Sequence, residues 1–335
     1  MRPIIRPGLP LAWRAADTVQ LGIDDPLPIV ISGVPLSARA LLESMDGVRT
    51  RSDLLTVVAQ PDEIDEVASL LDQLIELGAV VDAGRWPGGP RISAKSRARL
   101  LPELMSASPP EPERWWRSLA QTQVEIIGGS RLGATMACAL AAAGIGRVSV
   151  DDRRPVAMAD VSPGGFAPDD IGKPRSTLLA LHPEWRAMSS RLPVRQEITV
   201  VTDAVDMDDH ANRLATGGIA HLVVSCRERI GRVGPFVKPG ITPCLVCLNL
   251  RRRDHDPQWP DVWRQQPPTP SPIAHATTVA MTAQLAATHV LLWALGDEPL
   301  STHTIVEILA PHGTVVARPS HRHPECGCGW ATMTG

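Results

Sequence analysis

The chain has 335 residues, of which 44% are hydrophobic, and its formal net charge is −3 at pH 7. That length predicts about two or three domains, whereas the small net charge and the aromatic set of nine Trp, two Phe and no Tyr do not favour nucleic acid as a partner. The first residues lack the apolar core of a signal peptide and no membrane-spanning helix is predicted, so we expect a cytoplasmic protein without a membrane partner.

Residues 1–85 have the pattern of a small α+β module. The predicted elements are strands 18–22 and 29–31, helices 37–45, 51–59 and 63–77, and a closing strand 79–82. Apolar residues recur at helical spacing in the last helix, which ends at Gly78. Strands followed by three helices and a closing strand are typical of a winged helix-turn-helix domain.

Two interpretations of this module follow from its residues alone. A winged helix-turn-helix is commonly a DNA-reading fold, but the second helix offers only Arg49 and Arg51 near its start, so nucleic acid is a weak candidate partner. The other interpretation is a domain that serves only to pack. A Pro-rich linker at 86–114, containing a short predicted helix at 94–105, separates the module from a second domain at 115–335.

The second domain begins with a β-α-β pattern. Strand 124–127 runs into a glycine loop, helix 134–143 follows, and strand 148–150 ends beside Asp152. The nucleotide-binding candidates are Gly128, Gly129, Ser130, Gly133 and Asp152. Glycines let the backbone approach a phosphate and the acid suits ribose hydroxyls, although Ser130 replaces the middle glycine of the usual motif.

Further strands extend this pattern into a mixed sheet. They are predicted at 198–202, 221–225, 304–309 and 314–318, with a long helix at 275–293. The fold class predicted is therefore α/β, a Rossmann-like mixed sheet with helices on both faces.

Four cysteines form two close pairs, Cys244 with Cys247 and Cys326 with Cys328. Two such pairs can complete a tetrahedral S₄ shell that favours Zn²⁺ and leaves no open position, so a structural zinc site is predicted. A disulfide or redox pair is the alternative. The remaining Cys138 and Cys226 lie in apolar surroundings and are predicted to be reduced core residues.

Together these features resemble the ThiF-type adenylyltransferases, a superfamily that includes ubiquitin-activating enzymes. The resemblance is carried by 128–133, 150–152, 170–175, 233–240 and the two cysteine pairs. It implies Mg²⁺·ATP as a cofactor and adenylation of a peptide or small-protein carboxylate. Asp152 matches the ribose-binding acid, Arg175 stands where the family has a phosphate-binding lysine, and Asp203 is the candidate magnesium ligand.

Several positions depart from that family pattern. Ser130 crowds the phosphate loop, Arg175 keeps charge but not lysine geometry, and 162–166 lacks the family's arginine. The family's Asn after the magnesium aspartate is also missing, since Ala204 follows Asp203. We therefore expect a degenerate ATP site, with Arg175 and Asp203 as the candidate catalytic residues.

The whole chain more closely resembles actinobacterial ThiF-like proteins that bind leader peptides of thiazole/oxazole-modified microcins (TOMMs). Segments 9–11, 19–22, 160–165, 240–248, 252–260 and 323–328 carry this resemblance. It implies that residues 1–85 form a peptide recognition element, that the chain is a homodimer, and that a cyclodehydratase is its partner enzyme. A leader would add as a strand beside 29–31. The peptide-binding candidates are Val30, Ile31, Leu70, Leu74 and Arg227.

Three functional hypotheses remain open at this point. The favoured one is a scaffold that captures a precursor peptide and presents it to a modifying enzyme; the others are an active adenylyltransferase and a DNA-binding regulator. Arg251–Arg253 could hold phosphate or an acidic partner, but a cationic run beside Asp254 and Asp256 is more often a self-paired surface.

Overall fold

A computed structural model describes residues 1–6, 8–23, 28–58, 61–85, 99–100, 103, 112–178, 192–202, 207–265 and 274–328. The chain forms two compact units, Met1–Arg117 and Ser118–Gly335. Most of the helix predicted at 94–105, and the candidate magnesium ligand Asp203, lie outside the described residues.

Between residues 1 and 85, the described part of the first unit contains two small sheets and three α-helices. Its elements are β1 (Pro3–Ile5), β2 (Leu11–Ala15), β3 (Thr18–Leu21), β4 (Ile29–Ser32), α1 (Leu36–Ser44), α2 (Arg51–Val58), α3 (Ile64–Glu76) and β5 (Val80–Asp82). β1 pairs with β5, and β2, β3 and β4 form an antiparallel sheet. The sequence patterns did not predict β1 or β2, because neither short segment alternates apolar and polar residues clearly.

Helix α3 supplies much of the core of this unit. Its apolar residues recur three and four positions apart, so they lie on one face. Val67, Leu70, Leu71 and Leu74 are buried there with Val19 and Leu41, among others. The regular spacing in the sequence therefore reflects packing inside the unit.

The second unit is built on a seven-stranded mixed sheet, in the order β12-β11-β10-β9-β8-β6-β7. Its strands are β6 (Thr122–Ile127), β7 (Arg147–Asp151), β8 (Gln196–Val201), β9 (His221–Arg227), β10 (Ile230–Val237), β11 (Thr304–Leu309) and β12 (Thr314–Pro319). β7, β6, β8 and β9 are parallel, whereas β9 to β12 pair antiparallel. The predicted mixed α/β sheet is confirmed.

The described residues place six α-helices in this unit or leading into it: α4 (Pro112–Ala120), α5 (Arg131–Ala143), α6 (Met207–Thr216), α7 (Leu245–His255), α8 (Trp259–Arg264) and α9 (Ala276–Leu295). Gly231 in β10 faces α9, since a Cβ there would meet Thr282 Oγ1 at 1.8 Å. Gly231 pairs with Cys226 of β9. Val223 lies three residues before Cys226 in the same strand, so its side chain points to the opposite face, where it packs with Met207 of α6. Helices therefore cover both faces of the sheet.

Helix α9 corrects one expectation from the sequence. Its 20 residues are long and apolar enough to meet the length and composition criteria for a membrane span, so the expectation that no such segment exists was wrong. Half of the apolar segment is buried inside the fold, and α9 contacts α5 and strands β9 to β11. Its apolar composition is thus accounted for by packing in the core.

Candidate functional site

The loop between β6 and α5 holds the predicted glycines. Gly128 has a φ of 99°, a conformation that side chains disfavour. A Cβ on Gly133 would lie 2.0 Å from the Gly128 carbonyl oxygen, and one on Gly129 would lie 2.8 Å from Val150 Cγ1. Close packing inside the loop therefore requires these glycines whether or not a ligand binds.

Ser130 is the N-cap residue of α5 and is fully buried. Its Oγ has no hydrogen-bond partner among the described residues. The first turn of a helix presents free backbone N–H groups that attract anions. This end of α5 thus keeps one feature of a phosphate site.

The carboxylate of Asp152 accepts hydrogen bonds from three residues. Oδ2 accepts from the Gly129 N–H at 2.8 Å, Arg154 Nη2 at 2.7 Å and Arg175 Nη1 at 3.1 Å. Oδ1 accepts from the Arg154 backbone N–H at 3.0 Å and from its Nε at 2.9 Å. A carboxylate has about four lone-pair sites. These five internal donors therefore occupy the sites that would otherwise accept hydrogen bonds from ribose hydroxyls.

Arg175 forms a buried ion-pair network with two acids. Its side chain is 2% exposed, and its guanidinium reaches Asp152 at 3.1 Å and Asp160 at 2.6 Å. Asp160 is itself fully buried and also accepts from the Ala157 N–H at 2.9 Å. The cation predicted to meet phosphate is therefore bound to protein carboxylates.

The pKa of Asp152 reflects this environment. Burial alone would raise the pKa of the carboxyl group, but hydrogen bonds from Arg154, the Gly129 N–H and Arg175 outweigh it and lower the pKa to about 2. Asp152 is accordingly ionised and internally neutralised at physiological pH.

The four predicted cysteines come together in one cluster. All four Sγ atoms lie within 4.8 Å of one another, with Cys244 3.8 Å from Cys247, Cys244 3.6 Å from Cys326, and Cys247 3.5 Å from Cys328. These separations are too long for a disulfide bond, and the cysteines are free. A tetrahedral Zn²⁺ with Zn–S bonds of about 2.3 Å requires sulfurs about 3.8 Å apart, so the set fits such an ion.

The thiols of this cluster differ in their electrostatics. Cys247 accepts hydrogen bonds from the Cys244 thiol and from the His323 backbone N–H, and its pKa is lowered to about 4. The hydrogen bond to Cys247 raises the pKa of Cys244, and burial raises the pKa of Cys328. Arg251 donates to the His321 and Arg322 carbonyls at 3.1 and 2.9 Å, which ties the last described residues to α7. The cluster therefore joins two distant parts of the chain, as the cysteine spacing predicted.

The structure places the peptide-binding candidates in different environments. Val30 lies on β4 and is 41% exposed, and Ile31 beside it is half-buried. Leu70 and Leu74 are buried in the core behind the sheet. Arg227 lies at the end of β9 in the second unit. Among the four candidates of the first unit, Val30 and Ile31 are thus the accessible ones.

The fold and these sites define a Rossmann-like α/β protein with a nucleotide-type glycine loop and a four-thiol centre. Residues 108–328, more than half of the chain, match the ThiF family. The chain therefore belongs to the ThiF family. No curated protein matches it in sequence.

Solved structures with a similar fold cover nearly the whole chain. E. coli MccB with ATP shares 18% identity and a TM-score of 0.64, over 98% of this chain and 100% of that one. The microcin C7 biosynthetic enzyme MccB in complex with N-formylated MccA shares 16% identity and a TM-score of 0.63, over 98% and 100%. The heterocyclase TruD shares 18% identity and a TM-score of 0.62, over 98% of this chain and 43% of TruD.

Proposed function

We propose that this protein is a peptide-binding scaffold of the ThiF family. It captures the leader of a ribosomally made precursor peptide and presents that peptide to a modifying enzyme, such as a cyclodehydratase of azoline biosynthesis. The residues that would bind ATP in its relatives hold the fold together instead. The observation that carries this proposal is that five donors from within the protein already occupy the Asp152 carboxylate.

The internal partners of Asp152 would compete with a nucleotide for its carboxylate. ATP would have to displace Arg154 or Arg175 from Asp152 before a ribose hydroxyl could bind there. Moving Arg175 would also leave Asp160 buried without its cation, and removing one partner of a buried ion pair costs about 3–5 kcal/mol. Arg175 is therefore unavailable to neutralise the charge of a transferring phosphate.

Strand β4 supplies the proposed leader site. It pairs with β3 through registers such as Gln20 with Val30, and no strand among the described residues pairs with its other edge. An exposed edge can accept an extended peptide through main-chain hydrogen bonds. Val30 then contacts the peptide directly, while Leu70 and Leu74 form the core that supports the strand.

The related structures support a role in modified-peptide biosynthesis. MccB is a microcin C7 biosynthetic enzyme seen with N-formylated MccA, and TruD is a heterocyclase. The fold of this chain is thus similar to that of a biosynthetic enzyme and to part of a heterocyclase. We extend that role to this chain, together with a homodimer and a structural Zn²⁺ at Cys244, Cys247, Cys326 and Cys328.

ATP-dependent adenylation is the alternative, and one observation favours it. The buried Ser130 Oγ has no partner among the described residues and lies at the N-terminus of α5. A phosphate there would accept from this hydroxyl and from the free backbone N–H groups. In that case Arg154, which is 32% exposed, would swing away from Asp152 when nucleotide binds.

Hydrogen exchange on the full-length chain tests the proposal, with any short precursor peptide that is encoded beside its gene as the probe. We expect the peptide to protect the backbone amides of β4 and to leave those of β2 unchanged. We also expect no peptide-dependent exchange of pyrophosphate into ATP. Binding without protection of β4 would contradict the leader site, and pyrophosphate exchange would establish adenylation instead.

A further inference from the structure

The four sulfurs of the cysteine cluster differ in their access to solvent. Cys244, Cys247 and Cys326 are buried, at 3%, 0% and 7% exposure, whereas Cys328 is half-buried. Around a metal ion all four residues are thiolates, because the thiolate is the metal-binding form of cysteine. Oxidation of a thiolate then depends on its access to the oxidant, so Cys328 is the position that a reagent from solution meets first.

Cys328 lies beside a sulfur from the other half of the cluster. Its Sγ is 3.5 Å from that of Cys247, although 81 positions separate the two residues in the chain. A disulfide bond requires sulfurs about 2.05 Å apart, so a movement of about 1.5 Å would join this pair. The accessible thiolate therefore has a second thiolate close enough to resolve it after oxidation.

We propose that Cys328 and Cys247 form a redox-sensitive pair that releases the metal when a hydroperoxide oxidises it. The Cys328 thiolate attacks the peroxide, the O–O bond breaks, and one proton is taken up to give a sulfenic acid and water. The Cys247 thiolate then attacks this sulfur, and with a second proton the hydroxyl leaves as water. In total, two thiolates, one hydrogen peroxide and two protons give one disulfide and two waters.

The disulfide removes half of the metal ligands. Disulfide sulfurs no longer carry the thiolate charge that binds a metal, and only the thiolates of Cys244 and Cys326 remain. A structural Zn²⁺ site requires four ligands around the ion. Oxidation of one pair is therefore sufficient to release the metal.

The oxidised chain would still connect α7 to the last described residues. Arg253 and Asp254 of α7 reach Glu325 and His323 at 2.7 Å each, but Arg253, Asp254 and Glu325 are 37%, 50% and 65% exposed. Such exposed groups contribute little to stability. A disulfide that closes a loop of 81 positions constrains the unfolded chain strongly, so a covalent bond replaces the metal as the main connection.

The inference rests on the metal site of the proposed function, but the two can fail separately. A purified parent chain that binds no metal would refute both the site and the release of metal from it. A zinc-loaded chain that forms no cross-link between Cys247 and Cys328 would refute the redox pair alone.

The test is peroxide treatment of the zinc-loaded, full-length chain. A chromogenic chelator measures the released Zn²⁺, and mass spectrometry of an unreduced tryptic digest maps the disulfides. Trypsin cleaves after Arg251 and Arg322, so Cys247 and Cys328 lie on different peptides that their cross-link joins. We expect one Zn²⁺ to be released for each cross-link, and a thiol reductant with added Zn²⁺ to restore the reduced cluster.

Two further measurements separate this pair from unspecific oxidation. Limited alkylation of the zinc-loaded parent with N-ethylmaleimide should modify Cys328 first. The oxidised, metal-free chain should unfold at a higher temperature than the reduced, chelated chain. Cys226→Ser, which alters a buried cysteine outside the cluster, is the matched control and should release metal and cross-link like the parent.

Several results would overturn the proposal. They are a main disulfide within either close pair, Cys244 with Cys247 or Cys326 with Cys328, and sulfinic acid formation without a cross-link. Alkylation that begins at a buried cysteine would contradict the assignment of Cys328 as the accessible sulfur. Equal unfolding temperatures of the oxidised and the chelated chain would show that the disulfide does not replace the metal.

Discussion

Arg175 donates to the Asp152 carboxylate across 3.1 Å, and both side chains are almost fully buried, at 2% and 4% exposure. This contact joins the residue expected to bind phosphate to the residue expected to bind ribose. Because each neutralises the other, the proposed scaffold function predicts that neither offers its charge to a nucleotide.

Removing Arg175 should destabilise the protein strongly. Arg175→Met leaves Asp152 and the fully buried Asp160 without this cation, and we expect a loss of about 3–5 kcal/mol in the free energy of unfolding. Denaturant unfolding measures the change. Arg264→Gln, which breaks an ion pair with Asp261 whose side chains are 74% and 72% exposed, is the control and should cost about 1 kcal/mol or less.

The double variant Arg175→Met/Asp160→Asn sharpens this test. If the pair is coupled as described, the double variant should lose less stability than the sum of the two single variants. Strict additivity would mean that Arg175 and Asp160 contribute independently, contrary to the network seen here.

Acid should weaken the fold through Asp152. The folded-state pKa of about 2 lies below the ordinary value of 3.8, so the ionised carboxylate stabilises the fold above about pH 4, and this contribution is lost as the pH falls through the folded-state value. Linkage gives about 2 kcal/mol for a shift of this size. The stability difference between the parent and Asp152→Asn should shrink by about that amount from pH 4 to pH 2.

This comparison uses the difference between two chains with the same cysteines, so that acid release of a metal affects both equally. A difference in stability that stays constant over this pH range would show that Asp152 titrates like an exposed carboxyl group.

The cysteine cluster should hold one Zn²⁺ per chain. Cys247→Ser should release the metal and lower the free energy of unfolding by several kcal/mol, because metal binding is coupled to folding. Elemental analysis and thermal unfolding provide the two measurements. Cys226→Ser, which alters a buried cysteine outside the cluster, should keep the metal. A purified parent chain without metal, and with unchanged melting after chelation, would refute the site.

Peptide capture should depend on the accessible edge of β4. Val30→Asp places a charge and a poor strand former beside the incoming peptide, and we expect binding of the precursor peptide to weaken about tenfold with little change in thermal stability. Fluorescence anisotropy with a labelled peptide measures the affinity. Val57→Asp on α2, where the side chain is 70% exposed, controls for charge. Equal affinities in the two variants would place the peptide elsewhere.

Local patterns predicted the glycine loop and the four-cysteine cluster well. Strand, glycine loop and helix follow one another directly in the chain, and the two cysteines of each pair are only two or three positions apart. Strand β10 was missed because Gly231, Gly234 and Pro235 interrupt its apolar pattern. Gly231 is explained only by Thr282 of α9, a contact between residues far apart in sequence.

The role of Asp160 could not be predicted from its position in the sequence either. Its pairing with Arg175 requires the segment after β7 to fold back, as the hydrogen bonds of Val156 with Lys173 and of Ser176 with Asp152 show. The only local signal was an acid three residues after Ala157, the spacing of a capping interaction. Helical spacing likewise marked Leu70 and Leu74 as apolar, but could not distinguish a core position from a peptide contact.

Calorimetric titration of the zinc-loaded, full-length chain with Mg²⁺·ATP tests most directly whether this ThiF-type fold binds nucleotide. With Arg154 and Arg175 retained on Asp152, we predict no saturable heat up to millimolar ATP. Saturable binding of one ATP per chain that disappears in a folded Asp152→Ala variant would contradict the account.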